Sequence, residues 1–291
     1  MPCTPLAMQE HVSIYRTRIC DVLRSCIDVQ CSLEPEDRYE DLRASLVLAC
    51  SVARPCEQMY RVATAYDLLA RAMSQHDSTV GTQYSPSEPV EPASLLRGNL
   101  MFCLALSEIA GCDDEDLTQM FTHATSRIST EQIACSLSGA GDDAVRAATS
   151  RVRSSALCFW YACKSARLLT TGRDETCAYA LRLGTSLGLM QEFEDTLLFA
   201  TTRRFARIPL PLALAIRRDR KAHETLHKCD ANRTINLLMR LGAWQRSVSM
   251  LLSELEASRQ RLPSCDVMLH RCFSQVLDEC VDIATAYSVC T

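Results

Sequence analysis

Three stretches of this chain carry residue types at spacings suited to chemistry. His223-Glu224-Thr225-Leu226-His227 has the His-Glu-x-x-His form. On a helix both imidazoles share one face, and the glutamate can act as general base on a zinc-bound water. A third ligand would have to be nominated from His270 or Glu254, and Lys221, Lys228 and the Asp230-Ala231-Asn232 turn make the stretch read better as a solvated helix end. Gly184-Thr185-Ser186-Leu187-Gly188 fits Gly-x-Ser-x-Gly, but that motif needs a strand before its serine and the preceding residues read as helix. Its glycines suit close helix–helix approach instead. Asp113, Asp114, Glu115 and Asp116 could collect a cation, yet at the start of an apolar-periodic segment they read as helix caps.

Seventeen cysteines run from Cys3 to Cys290 with an odd count and no Cys-x-x-Cys, many of them among apolar neighbours. That distribution suits small buried hydrophobes in a reducing compartment better than a disulfide framework or a zinc cluster. The formal charge is −4, with 31 basic and 35 acidic residues, which lacks the footprint of a general nucleic-acid binder. No uncharged run exceeds ten residues and the first ten carry no signal-like pattern, so no transmembrane segment and a soluble, cytoplasmic protein are expected.

The elements that must position these residues are helices. Apolar residues recur at intervals of three or four in Ile14 to Ile27, Leu42 to Cys50 and Met59 to Met73. The same periodicity predicts helices around 94–111, 113–138, 142–171, 174–203, 211–227, 231–260 and 265–288, with Pro209 and Pro211 punctuating the chain. No stretch alternates as a half-buried strand would. The expected fold is all-α, a single domain over residues 1–291 with about ten helices. Residues 77–93, holding Pro86, Pro89 and Pro92, form the one long segment without helix character.

Taken in order, several stretches resemble the trans-isoprenyl (polyprenyl) diphosphate synthase family. Glu40-Asp41-Leu42-Arg43 stands where that family has Gly-Gly-Lys-Arg-x-Arg-Pro. His76-Asp77-Ser78-Thr79-Val80-Gly81 stands where it has His-Asp-Asp-x-x-Asp, and Gly98-Asn99-Leu100-Met101 where it has Gly-Asp-x-Leu. Arg153-Ser154-Ser155-Ala156-Leu157 matches Lys-Thr-Ala-x-Leu, and Gly184 to Gln191 matches Gly-x-x-Leu-Gly-x-x-Gln. Glu194-Asp195-Thr196-Leu197-Leu198 follows in place of the second Asp-Asp-x-x-Asp, and Arg207 to Leu214 resembles Thr-x-Pro-x-x-x-Ala. The similarity spans about residues 36–216, and order and spacing carry it.

The resemblance implies an isoprenoid-synthase-like helical bundle around a central cavity. It also implies Asp77, Glu194 and Asp195 as Mg²⁺ ligands in an active protein, with Arg43, Arg153 and Gln191 on the diphosphates. Ionising an allylic diphosphate needs Mg²⁺ clamped by carboxylates from two facing walls, and cations on the second diphosphate. This chain has thinned both sets: Ser78, Gly81 and Leu198 replace acids, Glu40 and Asp41 replace bases, and no Arg or Lys lies between Asp77 and Arg97. The expectation is therefore a protein without full prenyltransferase activity. It would be a non-catalytic subunit in a homodimer or in a heterodimer with an active prenyl synthase, or an isoprenoid-binding protein. The alternatives are a Mg²⁺-dependent prenyltransferase working with a reduced acidic set and, more distantly, a zinc hydrolase using His223, Glu224 and His227.

Overall fold

The computed structural model describes residues 5–26, 40–50, 56–80, 92–136, 142–170, 174–202, 207–226, 230–261, and 274, 277–278, 281–282 and 285, some of them by backbone alone. Among the described residues there are eleven helices and no strand. They are α1 (Pro5–Cys26), α2 (Glu40–Ala49), α3 (Glu57–Val80), α4 (Pro92–Ala110), α5 (Glu115–Ser136), α6 (Asp142–Leu168), α7 (Asp174–Thr202), α8 (Leu210–Arg218), α9 (Ala222–Leu226), α10 (Ala231–Arg240) and α11 (Ala243–Arg259). The fold is all-α, as the periodicity predicts.

Helix starts follow local chemistry. Asp114 accepts from the backbone N–H of Leu117 (3.0 Å), so this part of the acidic run caps α5. Asp230 caps α10 in the same way through Arg233 N–H (2.8 Å). Pro209 precedes α8 and Pro211 lies in its first turn, where a missing N–H is harmless.

Two expected helices are broken. The segment 231–260 splits at Gly242, whose φ of 65° no L side chain adopts easily, so α10 ends and α11 starts on a new axis. The segment 211–227 splits at Asp219, which is extended and whose carboxylate accepts from the Lys221 N–H (2.9 Å). That local bond competes with helix continuation.

Helix α6 is the axis of the bundle, packing against α2, α3, α5, α7 and α8, while α3 runs along α4 and α11 backs α7 and α8. The α6–α7 contact is close because α7 carries glycines there. A Cβ on Gly184 would lie 2.8 Å from Ala156 Cα, and one on Gly188 would lie 3.0 Å from Val152 Cα. The glycines of the Gly-x-Ser-x-Gly stretch thus serve backbone approach, and Ser186 is buried within α7. Midway between α3, α5 and α6 the space is filled. Tyr66 meets Phe121 edge-on at 5.4 Å and shares a 2.9 Å hydrogen bond with Ser165, all three buried. Cys50, Cys112, Cys158, Cys163 and Cys177 are buried free thiols, matching the packing role expected, whereas Cys56 and Cys103 are exposed.

Helix α4 is apolar over Ala93–Ala110, long enough by composition to cross a membrane, and a third of that window is buried inside the bundle. It is anchored to the bundle at both ends. Gly98 and Asn99 pack on His76, and Glu108 accepts from Arg18 Nη2 at 2.9 Å. Its outward positions carry no charge: Leu95, Leu96, Asn99, Cys103 and Leu106 are exposed, Leu96 by 67%.

Candidate functional site

The ends of α3 and α5, the second half of α7 and the starts of α4, α6 and α8, which hold most of the stretches that carry the resemblance, meet at one end of the bundle. The last turns of α3 meet the start of α4 through His76 and Asn99, 3.1 Å apart. A Cβ on Gly98 would fall 2.4 Å from the His76 ring, so glycine is what leaves the ring room in this position. The end of α5 joins through Gln132, which donates to the Met73 carbonyl (3.5 Å). The first half of α6 then meets the second half of α7 and the first turn of α8.

That last junction is the strongest polar feature of the end. Arg151 donates from Nε and Nη2 to the two carboxylate oxygens of Glu192, both at 2.8 Å. The same Nη2 reaches the Ile208 carbonyl (2.7 Å), and Glu192 Oε2 accepts from the Leu210 N–H (2.7 Å). Both side chains are buried. A bidentate pair with its remaining valences satisfied is the geometry in which a buried ion pair holds. It fastens α8 onto α6 and α7.

The expected diphosphate-binding cations are committed to other side chains. Arg43 is buried and donates from Nη1 to Asp67 Oδ1 (3.1 Å), with its guanidinium 5.0 Å from the Phe159 ring centre. Asp67, fully buried, also accepts from Arg71 Nε at 3.2 Å. Burial, and next the charge of Asp67, push the Tyr15 phenol well above its ordinary range. Arg153 lies on the outside of α6, largely exposed, 3.3 Å from Glu131.

The second acidic set is similarly altered. Gln191 is exposed, and its Nε2 donates to Asp195 Oδ1 (3.3 Å). Arg207 stands 3.6 Å from Asp195 Oδ2, where a divalent cation would meet a fixed positive charge. Glu194 is partly buried. Thr196 is buried and donates to the Glu192 carbonyl (2.7 Å), and Leu198 is exposed.

The sequence motifs did not single out Glu192. Helical phase contained the signal: Gly184, Gly188, Glu192 and Thr196 lie four apart, so the face that meets α6 must include Glu192 and not Gln191. The pairing of Arg43 with Asp67 left no such trace.

Asp77 lies in the last turn of α3, with its side chain outside the described residues. Of the His-Glu-x-x-His stretch, His223 and Glu224 are described as backbone of the five-residue α9, and His227 lies outside the described residues. Among the described residues no three His, Cys, Asp or Glu side chains converge as a metal-binding group. In the described part of the second acidic set, Arg207 stands beside the aspartate and Thr196 is buried on the inner face.

No protein-family model and no curated protein matches this sequence. The structure does have close counterparts. A decaprenyl diphosphate synthase from Rhodobacter capsulatus superposes with a TM-score of 0.68 at 14% identity, covering 95% of this chain and 98% of that one. A polyprenyl synthase from Caulobacter crescentus, complexed with calcium and isoprenyl diphosphate, gives 0.66 at 15%, covering 95% and 96%. A geranylgeranyl pyrophosphate synthase from Corynebacterium glutamicum, also complexed with calcium and isoprenyl diphosphate, gives 0.68 at 13%, covering 98% and 99%. Likeness this complete at so low an identity concerns the fold, and the chain has the all-α isoprenoid-synthase fold of the trans-prenyl diphosphate synthases.

Proposed function

We propose that this protein is a divergent, non-catalytic relative of the polyprenyl diphosphate synthases that acts as a partner subunit, either with a second copy of itself or with an active synthase. The observation carrying this reading is the commitment of these charged side chains to one another. Arg43 serves Asp67, Arg151 serves Glu192, and Asp195 faces Arg207. Diphosphate binding needs cations turned toward the ligand, and metal clamping needs carboxylates free of competing cations. The charge-free outer face of α4 supports the partner half of the reading, since exposed leucines at helical spacing mark a surface that another protein covers. Filling of the space between α3, α5 and α6 by Tyr66 and Phe121 favours a subunit over a holder of isoprenoid chains.

Two assays on the purified chain test this. Incubated with Mg²⁺, farnesyl diphosphate and isopentenyl diphosphate, it should release no prenyl product. In light scattering it should run larger than a monomer, alone or mixed with an active synthase, and Leu96→Asp with Leu106→Asp should abolish that association. Mg²⁺-dependent product lost on Asp77→Asn or Asp195→Asn would establish the prenyltransferase alternative instead. Stoichiometric zinc lost on His223→Ala would revive the hydrolase.

A further inference from the structure

Arg153 is an exposed cation at the bundle end that holds the candidate site. A denser group lies at the other end of α8, away from Glu192 and Leu210. Arg217 and Arg218 occupy the last turn of α8, and Arg220 and Lys221 follow in the break before α9. Arg240 is in the last turn of α10 and Arg246 in the first turn of α11. All six are exposed, and Asp219 is the one acid within the run 217–221.

Gly242 joins these elements into one surface. It sits in the left-handed turn between Arg240 and Arg246, and a Cβ there would lie 3.1 Å from Arg218 Nη1. The Arg218 guanidinium therefore lies against the α10–α11 turn, bringing the α8 end beside both other arginines. Helix dipoles explain only part of the set. Arg217, Arg218 and Arg240 are at C-terminal ends, where a cation is favoured, but Arg246 is at an N-terminal end, where it is not. A cation held against its helix dipole, among five others, reads better as a surface for an external anion than as helix capping.

We propose that this corner, formed by Arg217, Arg218, Arg220, Lys221, Arg240 and Arg246, docks the protein on an anionic lipid surface. The chain as a whole is acidic, at −4, so concentrating cations here leaves the remainder strongly negative. A planar array of lipid phosphates touches the corner alone and leaves the acidic remainder facing water. A nucleic acid long enough to span the molecule would meet that remainder and be repelled. Met250, exposed one turn beyond Arg246 on the same side of α11, supplies an apolar contact of the kind that headgroup-level surfaces accept. Attraction of this type adds up over the cations and weakens as salt shortens its range.

Sedimentation of the full chain with vesicles tests the proposal. The protein should bind phosphatidylcholine vesicles that contain phosphatidylglycerol and should not bind phosphatidylcholine alone. Added salt should release it. The variant Arg218→Ser, Arg220→Ser, Arg240→Ser, Arg246→Ser should bind about a thousand-fold more weakly, while Arg127→Ser with Arg146→Ser should bind as the wild type does. Far-UV circular dichroism checks that the fourfold variant is folded; should it not be, the salt titration of the wild type decides. Equal binding to neutral vesicles would assign membrane contact to the apolar face of α4 and overturn the proposal. Salt-insensitive binding would also overturn it, as would no binding to either vesicle, or retention by polyglutamate or duplex DNA without binding to anionic vesicles.

Discussion

Two kinds of acid sit in this bundle, and on α7 they lie three residues apart. Asp67 and Glu192 are buried, and each grips arginine: Asp67 takes Arg43 and Arg71, and Glu192 takes Arg151 with both carboxylate oxygens. Asp195, three residues beyond Glu192, stands on the rim with Gln191 and Arg207 and is partly open to water. The first kind is structural, because a buried charge stripped of its partner is expensive. The second contributes little to folding, because solvent can replace whatever it loses. Rim charges can therefore change while the scaffold stays intact, which accords with a full-length fold match beside acidic motifs interrupted by Ser78, Gly81 and Leu198.

The contrast can be broken most forcefully at its buried side. Glu192→Ala should lower unfolding free energy by about 3–5 kcal/mol, since Arg151 is left charged and buried. Asp67→Ala should do the same through Arg43, and urea denaturation reads both. A loss below about 1 kcal/mol in either variant would mean that water reaches the node and that the two kinds of acid do not differ.

Next in size is the helix contact that carries Glu192. Gly184→Ala places a methyl group 2.8 Å from the Ala156 Cα and should cost about 1–3 kcal/mol by forcing α6 and α7 apart. Thermal melting measures it, and an unchanged midpoint would show that the helices can slide.

Alkaline pH probes the core separately from the ion pairs. Burial pushes the Tyr66 phenol up and the Cys112 thiol to about 11 from an ordinary 9. Groups raised in the folded state stabilise it fully below their ordinary values and lose that contribution as pH climbs through the folded ones. Stability should hold to about pH 9 and fall toward pH 11, and Cys112→Ala should flatten part of the fall. The smallest effects belong to the rim. Arg153→Ala and Asp195→Asn should each stay within about 0.5 kcal/mol of wild type in the same urea experiments. A large loss at Asp195 would place the rim in the scaffold.

Much of the fold was legible because helices announce themselves locally. Apolar spacing located the helices, Asp114 capped where an acidic run precedes an apolar one, and Pro209 marked the start of α8, whereas Asp230, read as part of a turn, proved to cap α10. The breaks at Asp219 and Gly242 were missed because apolar periodicity continues across them, although a glycine followed by a fresh stripe is a fair warning. The site was harder to read. Gln191 fits the family's motif by spacing, yet the inward register set by Gly184 and Gly188 selects Glu192. Arg43 was placed correctly on its helix, but its partner Asp67 comes from a different helix, and nothing in the sequence says that two helices will bring these charges together.

The central claim is that the charged residues of the bundle end serve the scaffold and not a ligand. Calorimetric titration of the purified chain with farnesyl diphosphate, with and without Mg²⁺, tests it most directly. The account predicts no heat of binding that depends on Mg²⁺. Saturable binding that appears only with Mg²⁺ and disappears on Asp77→Asn or Asp195→Asn would contradict it, because the reduced acidic set would then still be clamping a diphosphate.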